Sequence, residues 1–257
     1  MRNEDLFDLK DKIIVIPGGS GKVGSMICRA LSEAGAKLII LGRDEEKGKK
    51  ILNEIKNAYF YKCDISKDDE VKNISKEILN DFKKLDVLIN CAAVAMPGRM
   101  SELTLDMWDT AYSINIKGAF LCVKYFGDIM INQNHGNIIN IGSVYGAVSA
   151  DEKIYSNNKF ESSLIYATTK SALINFTRYI ATHMAKHGIR ANLLSPGGFI
   201  NESNKDEFFR SNYCSRVPIG RMAEEDDLKG VIIFLASDAS RYINGENIML
   251  DGGWTSW

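Results

Sequence analysis

The sequence has no excess of charge of either sign: 32 basic side chains stand against 33 acidic ones, a formal net charge of −1. Nothing in that balance favours a nucleic acid or an anionic membrane surface as partner. Apolar runs of bilayer-spanning length are also lacking, and the N-terminus, MRNEDLFDLKDK, is charged where a secretory leader carries an apolar stretch. A cytoplasmic protein with no membrane partner is therefore expected. Cys28, Cys63, Cys91, Cys122 and Cys214 form no CxxC and no paired spacing, which points to reduced thiols rather than a metal site or disulfide framework. His183 and His187 have metal-clamping i, i+4 spacing but no HExxH around them, so no metal is expected either. No linker, repeat or low-complexity tract breaks the chain, and residues 1–257 read as one dinucleotide-binding and catalytic domain.

What the chain does have is alternation. Lys12 to Ile16 is a short β-branched run that ends in Pro17-Gly18-Gly19-Ser20-Gly21-Lys22-Val23-Gly24, after which Ile27, Ala30, Leu31 and Ala34 keep helical spacing. A strand, a glycine loop and then a helix bring backbone N–H groups and the positive end of a helix dipole to a pyrophosphate. The next strand, Lys37 to Leu41, leads into Gly42-Arg43-Asp44. An acidic residue at that point binds the ribose 2′-hydroxyl of NAD, whereas an arginine accommodates the 2′-phosphate of NADP. Arg43, with Lys22 in the loop, leans the reading towards NADP(H) over NAD(H), and Asp44 leaves the choice open.

Helices at 45–55 and 68–82 alternate with strands Tyr59 to Cys63, Asp86 to Asn90, Gly136 to Ile141 and Ile189 to Leu194. Repeated βα units predict an α/β fold, a single Rossmann-type doubly wound parallel sheet with helices on both faces and ligands at the C-terminal strand ends. Asp64, Asn90, Ala92 and the loop Val94 to Arg99 fall on that rim.

In the segment IYATTKSA, Tyr166 and Lys170 are separated by one helical turn. A phenol titrates near ~10, so its oxyanion at neutral pH asks for roughly 3 units, ~4 kcal/mol, and a nearby ammonium favours it. Such a pair suits proton exchange with an alcohol or ketone oxygen. A second YxxxK, Tyr155 and Lys159, lies among Ser and Asn residues that prefer turns. Tyr166 opens a segment with helical periodicity and is preferred, with Tyr155 the alternative.

Taken in order, Gly18 to Gly24, Asp64, Asn90-Cys91-Ala92-Ala93, Asn115, Ser143, Tyr166, Lys170, Pro196-Gly197 and the ending FLASDASRYINGENIMLDGGW resemble the shorter branch of the short-chain dehydrogenase/reductase family over nearly the whole chain. The resemblance implies that Tyr166 is the general acid/base and that Ser143 hydrogen-bonds the reacting oxygen. It makes Lys170 lower the Tyr166 pKa and bind the nicotinamide ribose, and Asn115 hold a water in a proton relay. The loop residues Gly18, Ser20, Gly21, Lys22, Val23 and Gly24 then hold the pyrophosphate, Asp64 and Ile65 the adenine, Asn90 and Ala92 the cofactor's middle, and Pro196-Gly197 the nicotinamide. Three positions depart from the family pattern: Pro17 replaces a threonine, NxAG becomes Asn90-Cys91-Ala92-Ala93, and the glycines at 18, 21 and 24 follow the extended branch's spacing.

Tyr155 lies 12 residues after Ser143 and Tyr166 lies 23 after it; the family's usual gap is near the shorter value. The 26 residues from Lys170 to Pro196 match the family instead, so an insertion at about 148–163 explains both distances. Its polar sequence implies a small, sugar-like substrate. Insertion, glycine spacing and SPGG turn together resemble dehydrogenases of surface-glycan or flagellin-modification pathways, and secondarily sugar-acid dehydrogenases. Residues 199–217, with Phe208, Phe209 and Tyr213, are a candidate lid. Trp254 and Trp257 are candidates for a subunit interface, and the resemblance implies a homotetramer or homodimer. The competing expectations are a 3-ketoacyl thioester reductase and a dinucleotide-binding protein without catalysis.

Overall fold

The computed structural model describes residues 2–155, 162–200 and 206–257. Seven parallel strands, β1 (Ile13–Pro17), β2 (Lys37–Gly42), β3 (Ala58–Lys62), β4 (Val87–Asn90), β5 (Gly136–Ile141), β6 (Ile189–Pro196) and β7 (Asn247–Leu250), make one sheet in the order β3-β2-β1-β4-β5-β6-β7. Every residue of β1, β4 and β5 is buried, as continuous apolar runs in a sheet covered on both faces require. Alternate side chains divide between two cores. Val15, Ile39, Leu41 and Leu88 pack with α4 (Asp68–Phe82) and α6 (Ala119–Gln133), whereas Ile14, Ile16, Leu38 and Ile40 pack with α2 (Lys22–Glu33) and α10 (Glu225–Ala236).

The doubly wound parallel sheet is as expected, and the six anticipated strands shift by no more than two residues at any end. The seventh, β7, lies in the C-terminal stretch and is held by β6 alone. The strand order reverses between β1 and β4, which opens a crevice beyond their carboxyl ends. Pro17 stands at that edge as the last residue of β1, where the ladder loses little from the missing N–H, and its carbonyl accepts from Cys91 N at 3.1 Å.

Among the described residues the other α-helices are α1 (Asn3–Leu6), α3 (Glu45–Glu54), α5 (Leu105–Tyr112), α7 (Val144–Ala147), α8 (Leu164–Met184) and α9 (Glu207–Arg216). A π-helical turn, Ser113–Gly118, joins α5 to α6 and carries Asn115. Among the described residues no helix is long and apolar enough to cross a membrane. Trp254 is buried in its own chain, stacked on Tyr213 at 4.6 Å, which removes it from the subunit-interface expectation; Trp257 is exposed.

Candidate active site

A cavity of about 530 Å³ follows the crevice, from Lys22 and Arg43 at one end to Ser143, Tyr166 and Lys170 at the other. Gly18 has φ +81°, and a Cβ there would sit 2.5 Å from the backbone of Ala92. A Cβ on Gly24 would run into the Gly18 carbonyl oxygen. Bare backbone is therefore a steric requirement of this turn, and it leaves the loop in close approach to whatever enters. The N-cap of α2 is Gly21, which has no side chain to offer the first-turn N–H groups. That end of the helix suits a phosphate anion, and Ser20, Lys22, Val23 and Gly24 line the cavity beside it. Here the residues fit a dinucleotide.

At the outer end, β2 closes on Gly42, whose Cβ position faces Ser20 Oγ at 3.1 Å. Asp44 is engaged as the N-cap of α3: it accepts from Lys47 N at 3.1 Å and pairs with Lys47 Nζ at 3.4 Å. Those contacts hold its carboxylate below the usual range, the Lys47 backbone bond most of all. Lys47 also lines the cavity, a third cation next to Lys22 and Arg43 that the sequence reading missed because only helix α3 turns it towards the site. Asp64 accepts from Ser66 N at 3.0 Å and Ser66 Oγ at 2.8 Å. Burial works against its charge, yet those bonds and the Arg43 and Lys67 charges keep it ionised below the ordinary value. Ile65 follows, buried against Gly118.

Asn90 donates to Asn140 Oδ1 at 2.8 Å, and Asn140 in turn donates to Thr177 Oγ1 at 2.9 Å. The Asn90 Oδ1 is buried without a protein donor, which leaves an acceptor beside Ala92 and Lys170 for a bound group. Pro196 and Gly197, at the end of β6, line the inner cavity as anticipated.

Tyr166 lies at the third position of α8, in the first turn, where the helix dipole favours negative charge. Lys170 is one turn on, its Nζ 5.4 Å from the Tyr166 ring centre, and it donates to Ile141 O at 2.6 Å. Ser143 caps α7 by accepting from Tyr145 N at 3.2 Å. Burial pushes the Tyr166 phenol up to about 12, partly opposed by a hydrogen bond with Ser143. The expected lowering of this pKa is thus not realised in the protein alone, because removal from water outweighs the stabilising contacts. Burial also pulls Lys170 down, to about 8.

The Asn115 side chain is fully engaged by the protein. Its Oδ1 accepts from Val94 N at 2.8 Å, and its two amide protons go to Val94 O and Thr169 Oγ1, each at 2.9 Å. With both donors committed to protein, the side chain ties the Val94 loop to α8.

Tyr155 does not meet Lys170. Its hydroxyl pairs with Tyr145 at 2.9 Å and its ring packs on Phe209 at 5.4 Å, in an aromatic cluster with Tyr213 and Trp254. Lys159 lies outside the described residues, as do 156–161 of the insertion and 201–205 of the candidate lid. The described part of the insertion does not line the cavity: Asp151 to Tyr155 packs on α9, where Asp151 pairs with Arg216, and Ser163 caps α8. The cavity wall holds Val94, Ala95, Ile114 and Phe199 instead.

A parallel sheet with a glycine cradle and a Ser–Tyr–Lys group at one crevice defines a nicotinamide-dinucleotide oxidoreductase. A family model described as enoyl-(acyl carrier protein) reductase matches residues 20–255. An NAD-dependent glycerol dehydrogenase of Listeria innocua is 28% identical over 254 residues, 97% of this chain and 96% of its own length. A 3-oxoacyl-(acyl-carrier-protein) reductase of Staphylococcus aureus is 29% identical over 250 residues, 94% of this chain and 97% of its own. The crystal structure of a gluconate 5-dehydrogenase from Burkholderia cenocepacia, in complex with NADP and tartrate, superposes with TM-score 0.89 at 31% identity, covering 100% of both chains. The chain belongs to the short-chain dehydrogenase/reductase family and is an oxidoreductase, which sets aside the non-catalytic alternative.

Proposed function

We propose that the protein interconverts a secondary alcohol and a ketone on a small, hydroxylated, sugar-like substrate, with NADP(H) favoured over NAD(H). The observation that carries the reading is one cavity with Ser143, Tyr166 and Lys170 at its inner end and Lys22, Arg43 and Lys47 at its outer end. Three cations there outnumber Asp44, whose carboxylate already serves Lys47 and the α3 N-terminus. A 2′-phosphate is matched by that charge; a bare ribose hydroxyl is not.

The cofactor supplies or accepts the hydride when bound. Gly18 to Gly24 and the α2 N-terminus hold its pyrophosphate, Asp64 and Ile65 its adenine, Asn90 and Ala92 its middle, and Pro196-Gly197 the nicotinamide end. Ser143 orients the reacting oxygen through a hydrogen bond. Tyr166 gives that oxygen a proton in reduction and takes it back in oxidation, help worth about 10² to 10⁴ in rate. A phenol raised to about 12 by burial holds its proton at neutral pH, so the proton it gives in reduction is in place before the ketone arrives. Lys170, positively charged below about pH 8, stabilises the phenolate left behind.

The hydroxylated-substrate reading is supported by the glycerol and gluconate dehydrogenases among its relatives. A place in surface-glycan or flagellin modification rests on the polar insertion, the glycine spacing and the SPGG turn together. Reduction of a 3-ketoacyl thioester is the second reading, supported by the apolar Val94, Ala95, Ile114 and Phe199 in the cavity wall and by the S. aureus relative.

Titration with NADPH and NADH, followed by nicotinamide fluorescence, tests the cofactor choice. Wild-type protein should bind NADPH more tightly, and Arg43→Ala should weaken NADPH about 10-fold while leaving NADH unchanged, as loss of a charged hydrogen bond of about 1.5 kcal/mol requires. Equal affinities in both proteins overturn the NADP(H) assignment. A panel of keto-sugars, keto-acids and 3-ketoacyl thioesters then separates the two substrate readings.

A further inference from the structure

The backbone of Tyr166 is bracketed by two hydroxyls, and both lead to the same loop. Its N–H donates to Ser163 Oγ at 3.1 Å. Ser163 Oγ also accepts from Met96 N at 3.2 Å and donates to Met96 O at 2.7 Å. On the other side, the Tyr166 carbonyl accepts from Thr169 Oγ1 at 2.8 Å. Thr169 Oγ1 accepts from Asn115, whose amide makes both bonds to Val94. Thr169 is 0% exposed, so water cannot substitute for either bond. Each hydroxyl has its one proton placed and accepts at least one bond from the protein, which fixes its rotamer. Val94 and Ala95 line the cavity opposite the glycine loop.

From this closed circuit we infer that Ser163 and Thr169 are positioning residues that register the Tyr166 phenol against the 94–96 loop. The inference rests on Tyr166 acting as the proton donor of the proposed reaction. Neither hydroxyl touches the cavity. Their work is mechanical: displacement of the loop by an entering substrate is transmitted to the peptide groups on both sides of the acid/base residue, and the reverse. A misplacement of about 1 Å at such a residue costs up to about 10²-fold in turnover without weakening cofactor binding.

The test compares Thr169→Val, which keeps shape and removes the hydroxyl, with Thr169→Ser, which keeps the hydroxyl; Ser163→Ala and Ser163→Thr form a second pair. Thr169→Val and Ser163→Ala should each lower kcat about 10- to 100-fold, with NADPH affinity by fluorescence within 2-fold of wild type (about 0.4 kcal/mol). Thr169→Ser and Ser163→Thr should recover most of the loss. Hydrogen exchange read by mass spectrometry supplies a measure that needs no substrate: Thr169→Val should speed exchange in peptides covering 94–99 as well as 164–170. Faster exchange confined to the helix peptide, or an equal loss in the valine and serine variants, overturns the coupling. If wild-type protein reduces no ketone in the panel, the reaction assignment fails, and the loop exchange still decides the coupling.

Discussion

Replacing Lys170 with methionine should yield a protein that is dead as an enzyme and harder to unfold. Lys170 is 3% exposed, and burial draws its ammonium from 10.5 to about 8, so at neutral pH the folded chain holds a charge in a place that disfavours it. A displacement of that size corresponds to about 3 kcal/mol against the folded state. Methionine fills a similar volume without the charge, but it leaves the Ile141 carbonyl without its donor, which costs about 1 kcal/mol. The net gain at pH 7 is about 2 kcal/mol, or about 4 to 8 °C in Tm for a chain of this size. Between about pH 8 and 10.5 the unfolded wild-type chain binds the proton that the folded one has released, so wild-type stability rises with pH through that window. The advantage of the variant is therefore full below pH 8 and gone above 10.5. Thermal unfolding of both proteins at pH 6, 7, 9 and 10.5 measures it. A variant less stable at pH 7, or a difference that does not change with pH, refutes the reasoning.

Tyr166→Phe should abolish turnover and leave NADPH affinity unchanged, whereas Tyr155→Phe, which only breaks a hydroxyl pair with Tyr145, should keep activity within a few-fold of wild type; assays of both variants distinguish the tyrosines. Gly24→Ala should eliminate measurable dinucleotide binding, because its methyl group collides with the Gly18 carbonyl and the turn has no room to yield. Fluorescence titration reads this directly, and retained affinity would mean that the loop does not hold the pyrophosphate.

The sheet was readable because a strand covered on both faces must be an unbroken apolar run, as in Ile13 to Ile16, and because helices announce themselves within about ten residues by their own periodicity. For the same reason the glycine loop and the Tyr166–Lys170 turn could be found without coordinates: each is a local pattern whose parts are neighbours in the chain. β7 escaped notice since its four residues are all only half-buried and carry no such run.

What the sequence determined by itself is the inventory of chemistry and the order of βα units that carries it. Tertiary structure decided which groups meet. It sent Tyr155 into an aromatic cluster under α9 and left Tyr166 with Lys170, and it consumed the Asp44 carboxylate at a helix N-terminus. It also made the Asn115 side chain a strut between loop and helix, and raised the phenol where the neighbouring ammonium alone pointed to a lowered one. These outcomes depend on burial and on contacts between segments as far apart as Val94, Asn115 and Thr169. Local spacing carries no record of either, because desolvation and long-range hydrogen bonds exist only once the chain has closed on itself.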